Sequence, residues 1–181
     1  MTQPEAEFSR PVAVAKISAR GRELKIAATA DELSALAKRY DIPEVRRLTA
    51  RLHLSALDGG KAWRLDGTFD AEVVQQCVVT LKPLQTEVTE HFERIYAIMP
   101  DDETGAVDVI YDQDDPPDPV IDGFIDAGEA VAEELALALV PFPRAPETEF
   151  QPSPGDGDGD GGGAAPAGPF AVLARLRENN G

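Results

Sequence analysis

Cysteine occurs once in the 181 residues, at Cys77. A single thiol excludes an intramolecular disulfide and a cysteine-rich zinc site. Histidine occurs twice, at His53 and His91, which leaves few ligands for a catalytic metal centre. No run of about 18 apolar residues is present, so no transmembrane helix is expected. Residues Met1 to Glu7 are polar and acidic, without the basic start and apolar stretch of a secretory signal. With the lone cysteine, this points to the cytoplasm. Basic residues are few: 17 Lys and Arg stand against 33 Asp and Glu, a net charge of −16. That balance speaks against a bulk electrostatic nucleic-acid binder, which needs clustered cations to displace counterions from phosphates. It speaks equally against an anionic membrane surface as partner.

The charge is unevenly placed. Met1 to Arg94 holds 14 acidic and 14 basic residues, whereas Ile95 to Pro143 holds 13 acids and no Lys or Arg. Two readings stand for that block. One is a solvated acidic loop, since like charges repel. The other is a docking surface for a basic partner, steered by complementary charge. Hydrophobic residues make up 43% of the chain, enough to build a core.

Along the chain, residues 11–18 read as a first strand and 22–28 as a second. Thr29 and Glu32 form a capping box before a helix carrying Leu33, Leu36, Ala37 and Tyr40, which Pro43 stops. The clearest strand signal is Leu48, Ala50, Leu52, Leu54 and Ala56, alternating with Thr49, Arg51, His53 and Ser55. Asp58-Gly59-Gly60 supplies a hairpin turn. The return strand alternates Trp63, Leu65, Gly67, Phe69, Ala71 and Val73, with a continuation through Cys77-Val78-Val79 before Lys82-Pro83. Residues 86–99 read as a further antiparallel strand. Residues 100–120 form an Asp- and Pro-rich loop, followed by a short strand at Val120-Ile121. Asp126 then caps a helix with the stripe Val131, Leu135 and Leu139, ended by Pro141. Glu129 and Glu133 sit four apart on it, a like-charge pair that suggests something else requires acids there. Residues 151–168 are a Gly/Asp/Pro-rich flexible linker. Residues 169–177 form a short amphipathic helix, marginal on its own, whose Phe170 and Leu173 fill either a groove of the body or a partner.

Catalytic and cofactor patterns fail in turn. Asp156, Asp158, Asp160 and Gly161 copy half of a calcium loop, but its twelfth position is Ala167 rather than Glu. Phosphate-loop, dinucleotide and nucleophile-elbow motifs are absent. Cys77 with His53 or His91 would make a thiolate pair, but Val73, Val74, Val78 and Val79 around it favour a small buried core residue. His53 falls on the polar face of its strand and reads as a surface residue. No cofactor and no enzymatic activity are expected.

Three segments in order carry a resemblance. They are Ala71 to Pro83 around Cys77, Ile121 to Glu129, and Pro169 to Ala174. Together they resemble the bacterial YceD family, the large ribosomal RNA subunit accumulation proteins, over residues 8 to 177. The resemblance implies a role in accumulation of 23S ribosomal RNA and large-subunit biogenesis, and no known enzymatic activity. Many family members carry a second cysteine three residues after the first, where this chain has Thr80. The motif positions carried over are Cys77, Thr80, Leu81 and Pro83; Asp126 and Glu129; and Phe170 and Leu173.

The fold expected is α+β. Residues 1–150 form a domain built on an antiparallel sheet of five or six strands, open or rolled into a partial barrel, with two main helices. The leading functional reading is an acidic adaptor that holds a basic ribosomal protein or assembly factor through Asp108–Glu134, with Asp122, Asp126, Glu129, Glu133, Phe170 and Leu173 as contacts. A second reading is direct RNA contact through Arg46, Arg47 and Arg51, beside Lys38 and Arg39. A third is a metal-dependent RNA-processing enzyme using the acids around Asp112–Asp118.

Overall fold

A computed structural model describes residues 6–57, 59–99 and 116–146. The chain divides into a unit spanning Met1–Thr148 and a second spanning Glu149–Gly181, and every described residue belongs to the first. The expected linker at 151–168, the helix at 169–177 with Phe170 and Leu173, and residues 100–115 of the acidic loop lie outside the described residues.

The alternating apolar segments form long strands. In chain order the elements are β1 (Pro11–Ala13), a 3-10 turn (Val14–Lys16), β2 (Arg22–Ala27), α1 (Ala30–Arg39), β3 (Glu44–Leu57), β4 (Ala62–Gln76), β5 (Pro83–Ala97), β6 (Asp118–Pro119), β7 (Phe124–Asp126) and α2 (Ala127–Ala138). The main sheet is open, with strand order β2-β3-β4-β5-β6, and β1 pairs with β7 in a separate two-stranded sheet. The main pairings are antiparallel except for β5 with β6, where Tyr96 faces Asp118 in parallel. The protein is α+β with two helices, as the sequence predicts, and the sheet does not close.

Period-two burial decides which face of the sheet carries the core. Leu48, Leu52, Leu54, Leu65, Phe69 and Val73 are all buried on one face. They belong to one cluster with Leu36 of α1, Val131 and Leu135 of α2, and Phe8 from the N-terminal segment. A register shift between Val45 and Arg47 interrupts the alternation in β3. That bulge leaves both Arg46 and Arg47 exposed between the buried Val45 and Leu48.

Helix α1 starts as its capping box predicts. The Thr29 hydroxyl accepts from the Glu32 amide at 3.4 Å, and the Glu32 carboxylate accepts from the Thr29 amide at 2.7 Å. It ends where Asp41 takes a left-handed turn, φ 53°, before Pro43.

The sequence reading needs three corrections. The first strand stops at Ala13 because the chain turns through Val14–Lys16. β4 ends at Gln76, and Cys77 to Leu81 form a turn rather than a continuation. The short strand expected at Val120-Ile121 instead pairs at Asp118–Pro119, and Phe124–Asp126 is an additional strand.

Gly128, in the first turn of α2, lets the N-terminal segment cross the helix. A Cβ built there would lie 2.3 Å from the Phe8 carbonyl oxygen, a backbone atom that cannot rotate away. Gly128→Ala is expected to destabilise the protein by about 1–3 kcal/mol through overpacking, against a smaller gain in helix propensity. A urea titration showing an unchanged or higher midpoint would refute the close-approach assignment.

Candidate functional site

The chain from β6 to α2 gathers acids by purely local rules. Ile121 and Phe124 bridge each other across Asp122-Gly123. Both central residues have positive φ, 51° and 79°, the backbone a two-residue hairpin turn needs and Asp-Gly supplies. The tip leaves Ile121 and Phe124 about half exposed, at 49% and 47%. The Gly123 carbonyl accepts from the Val14 amide at 3.0 Å, which fixes the tip against the body.

Asp126 follows, and its carboxylate is fully used. Oδ1 accepts from the amides of Arg10 at 2.7 Å, Gly128 at 3.0 Å and Glu129 at 3.1 Å. Oδ2 accepts from the Ser9 hydroxyl at 2.5 Å. This carboxylate therefore caps α2 and clamps the N-terminal segment to it. Arg10 extends the clamp to α1, because its guanidinium grips both Glu32 oxygens, at 2.7 and 3.0 Å. The hydrogen bonds from Arg10 hold the Glu32 carboxyl down to about 2, well below its ordinary 4.5.

The like-charge pair on α2 is explained by its partners. Glu129 is bridged by Arg39 of α1 at 2.7 Å, and Arg39 also reaches Glu7 at 3.0 Å. Glu133 pairs with Arg94 of β5, which also bonds Glu134 at 2.7 Å and lies 3.6 Å from Asp118. Arg94 thus faces three carboxylates. Although burial opposes its charge, the hydrogen bonds it donates to Glu134 and Glu133 raise its pKa further above the ordinary value.

Between these elements lies an open groove of about 470 Å³. Its lining includes five acidic residues, Asp118, Asp122, Asp126, Glu129 and Glu133, against one guanidinium, Arg94. Its apolar lining comes from Pro11, Tyr96, Ile121, Phe124 and Ile125. Tyr96 is buried there, and desolvation pushes its hydroxyl up to about 12, so it stays neutral. Among the described residues Asp122 has no ion-pair partner. Four of the six partner-contact positions named from sequence, Asp122, Asp126, Glu129 and Glu133, thus come together on one groove.

The first motif builds a different corner. Cys77 is fully buried. Its sulfur accepts from the Thr80 amide at 3.5 Å and the Ala145 amide at 3.4 Å. A hydrogen bond with the Thr80 side chain, together with these amides, brings the thiol down to about 6. Leu81 closes the turn in a left-handed conformation, φ 58°, with its amide bonded to the Cys77 carbonyl at 2.9 Å. Pro83 opens β5, a position where a missing amide costs no ladder bond. His53 and His91 sit exposed on the sheet, His53 within 3.3 Å of the Arg20 carbonyl and His91 within 3.0 Å of Asp66. Neither histidine is among the hydrogen-bond partners found for the Cys77 sulfur. Among the described residues, no group of three His, Cys, Asp or Glu is placed to hold a metal.

The three arginines named for RNA contact divide. Arg46 pairs with Glu44 at 2.8 Å and with Gln85 at 2.8 Å. Arg47 and Arg51 are exposed on the solvent face of β3. Sequence reading missed the apolar lining of the groove and Arg94. The lining had a legible signal in the Asp122-Gly123 turn, whereas the pairing of Arg94 with three acids spans from β5 to α2 and has no local trace.

The family model described as "Large ribosomal RNA subunit accumulation protein YceD" matches residues 65–177. The match covers more than half of the chain, and the chain belongs to that family. The family description names the accumulation of an RNA, not a reaction. The matched region opens inside β4, so β1 to β3 and α1 precede it. No curated protein and no solved structure matches the chain. No helix among the described residues is long and apolar enough to cross a membrane.

Two outcomes follow from the clamp. Asp126→Ala is expected to cost about 1–3 kcal/mol, since it removes a cap and strands partly buried donors. Hydrogen exchange should then quicken at the Gly128 and Glu129 amides, and unchanged exchange would refute the clamp. Glu32 has a folded-state pKa lowered from 4.5 to about 2, so its stabilisation is present above the unfolded value and lost as pH falls. The stability gap between wild type and Glu32→Gln should be widest near neutrality and close between about pH 4.5 and 2. A gap that stays constant across that window would contradict the Arg10–Glu32 assignment.

Proposed function

We propose that the protein supports large-subunit ribosomal RNA accumulation as a non-enzymatic adaptor, whose groove takes a basic, partly apolar segment of a ribosomal protein or assembly factor. The observation that carries this reading is a groove lined by five acidic residues against one arginine, together with apolar side chains. The family description supplies the process, and the groove supplies the chemistry. A cationic segment laid along it neutralises the acidic charge, while its apolar side chains cover Ile121 and Phe124. Asp126, Glu129 and Glu133 set the field although each also serves the fold. Asp122 is the carboxylate open to a new partner. Phe170 and Leu173, outside the described residues, remain in this proposal as a second apolar contact for the same partner.

The test combines the cell and the tube. Asp122→Asn keeps a residue that tolerates the left-handed turn, and Ile121→Ser removes an exposed apolar contact. With a labelled Lys/Leu-rich peptide as probe, the double variant should bind about 5–10-fold more weakly, in line with one exposed charge contact plus lost apolar area. Wild-type affinity should fall steeply as salt rises. In cells lacking the gene, the variant should restore the ratio of 23S to 16S RNA less completely than wild type. Binding indifferent to both salt and the double substitution would sink the groove as the partner site.

A further inference from the structure

The sheet order separates charge. Around β2, at the free edge, Lys16, Arg20, Arg22 and Lys25 are exposed with Glu23 as the one acid among them. β3 adds Arg47 and Arg51 on its solvent face. At the far edge β6 leads into the acidic groove. None of these six cations has an ion-pair partner among the described residues, whereas Arg10, Arg39, Arg46, Arg64 and Arg94 are all paired.

Lys25 and Arg51 are direct cross-strand partners. Like charges facing each other across an antiparallel pair are destabilising. The register that creates this pair is set by the apolar face, where Leu24 meets Leu52 and Ile26 meets Ala50. The pair lies in a shallow depression of about 320 Å³, together with Thr49 and Asp70. The Asp70 carboxylate is engaged by the Thr89 hydroxyl at 2.9 Å. Across β4, Thr68 stands opposite Arg51 and Glu72 opposite Arg47, so the cations of β2 and β3 meet a mixed row of hydroxyl and carboxylate on the solvent face.

We propose that this basic edge, centred on Lys25, Arg47 and Arg51, binds the phosphodiester backbone of RNA. Net charge does not forbid it. Four inter-strand spacings separate β2 from β6, about 19 Å, more than two Debye lengths at physiological salt. The acidic groove is therefore screened from a phosphate at Lys25. Contacts to phosphate position a protein without reading sequence, which suits a surface with charges and hydroxyls and no exposed aromatic. The proposal does not depend on the groove reading, because none of these residues lines the groove.

The experiment measures anisotropy of a labelled A-form RNA hairpin with the full chain between about 50 and 200 mM salt. Three phosphate contacts give a log–log salt slope of about −2.7, a loss of ~40-fold over that range. Lys25→Gln/Arg47→Gln/Arg51→Gln should abolish that slope, while Arg46→Gln, already paired within the fold, and Asp122→Asn should leave binding unchanged. A thermal melt checks the triple variant, and Lys25→Gln alone, on the edge strand, serves if the triple melts low. The proposal is overturned if wild type fails to bind at 50 mM. It also fails if the triple variant binds as well as wild type, or if Arg46→Gln weakens binding as much as the triple. Displacement of the hairpin by poly-glutamate at equal charge would assign the surface to an acidic protein instead.

Discussion

The carboxylate of Asp126 sets the geometry of everything on the acidic side of the molecule. It satisfies two orphan amides at the start of α2 and, at the same time, the Arg10 amide and the Ser9 hydroxyl. A negative charge there is also favoured by the helix dipole. One group therefore fixes three things: where α2 begins, how the N-terminal segment crosses it, and the register in which Pro11 faces Asp126 between β1 and β7. Gly128 permits the crossing by leaving room for the Phe8 carbonyl. With α2 held this way, Glu129 and Glu133 project toward the same groove as Asp118 and Asp122.

The acidic block is then two kinds of residue. Asp126, Glu129, Glu133 and Glu134 are structural acids, each matched to a specific donor. Partly exposed bridges such as these contribute little stability one by one, so their value lies in orientation. Arg94 shows the limit of the matching. One guanidinium cannot neutralise Asp118, Glu133 and Glu134 together, and the surplus negative charge is left at the mouth of the groove. The fold thus uses its acids for assembly and still leaves a net negative field at the groove.

What was legible in the sequence was local. The capping box at Thr29 and Glu32, the cap at Asp126, the alternation of β3 and β4 and the turn at Gly59-Gly60 all depend on spacing within a few residues, and they appear as the pattern predicts. What was not legible depended on distant pairing. β1 and β7 are three residues each, too short for a period, and they exist because each supplies the other's ladder. The bulge that exposes both Arg46 and Arg47 is a mismatch between β3 and β4 and cannot be seen in β3 alone. Glu129 and Glu133 looked like an unexplained repulsion because their partners, Arg39 and Arg94, lie 90 and 39 residues away. The sequence signalled a cost correctly but could not name what offset it.

The same contrast applies to net charge. A value of −16 describes the chain as a point, and a partner does not meet a point. Screening confines each interaction to roughly 8 Å at physiological salt, so a partner senses the residues of one edge. Strand order, which composition does not contain, puts the unpaired cations of β2 and β3 at one edge and the acid-lined groove at the other. On the two proposals made above, a cationic protein segment and an RNA backbone would each find a separate complementary edge. On those proposals a basic protein segment held in the groove would have its charge matched by carboxylates, which would lower its competition for phosphates at the opposite edge. A protein with the same composition and a different strand order would mix the two fields and lose that separation. On these proposals, the functional content of this fold lies in the order β2-β3-β4-β5-β6 as much as in any single side chain.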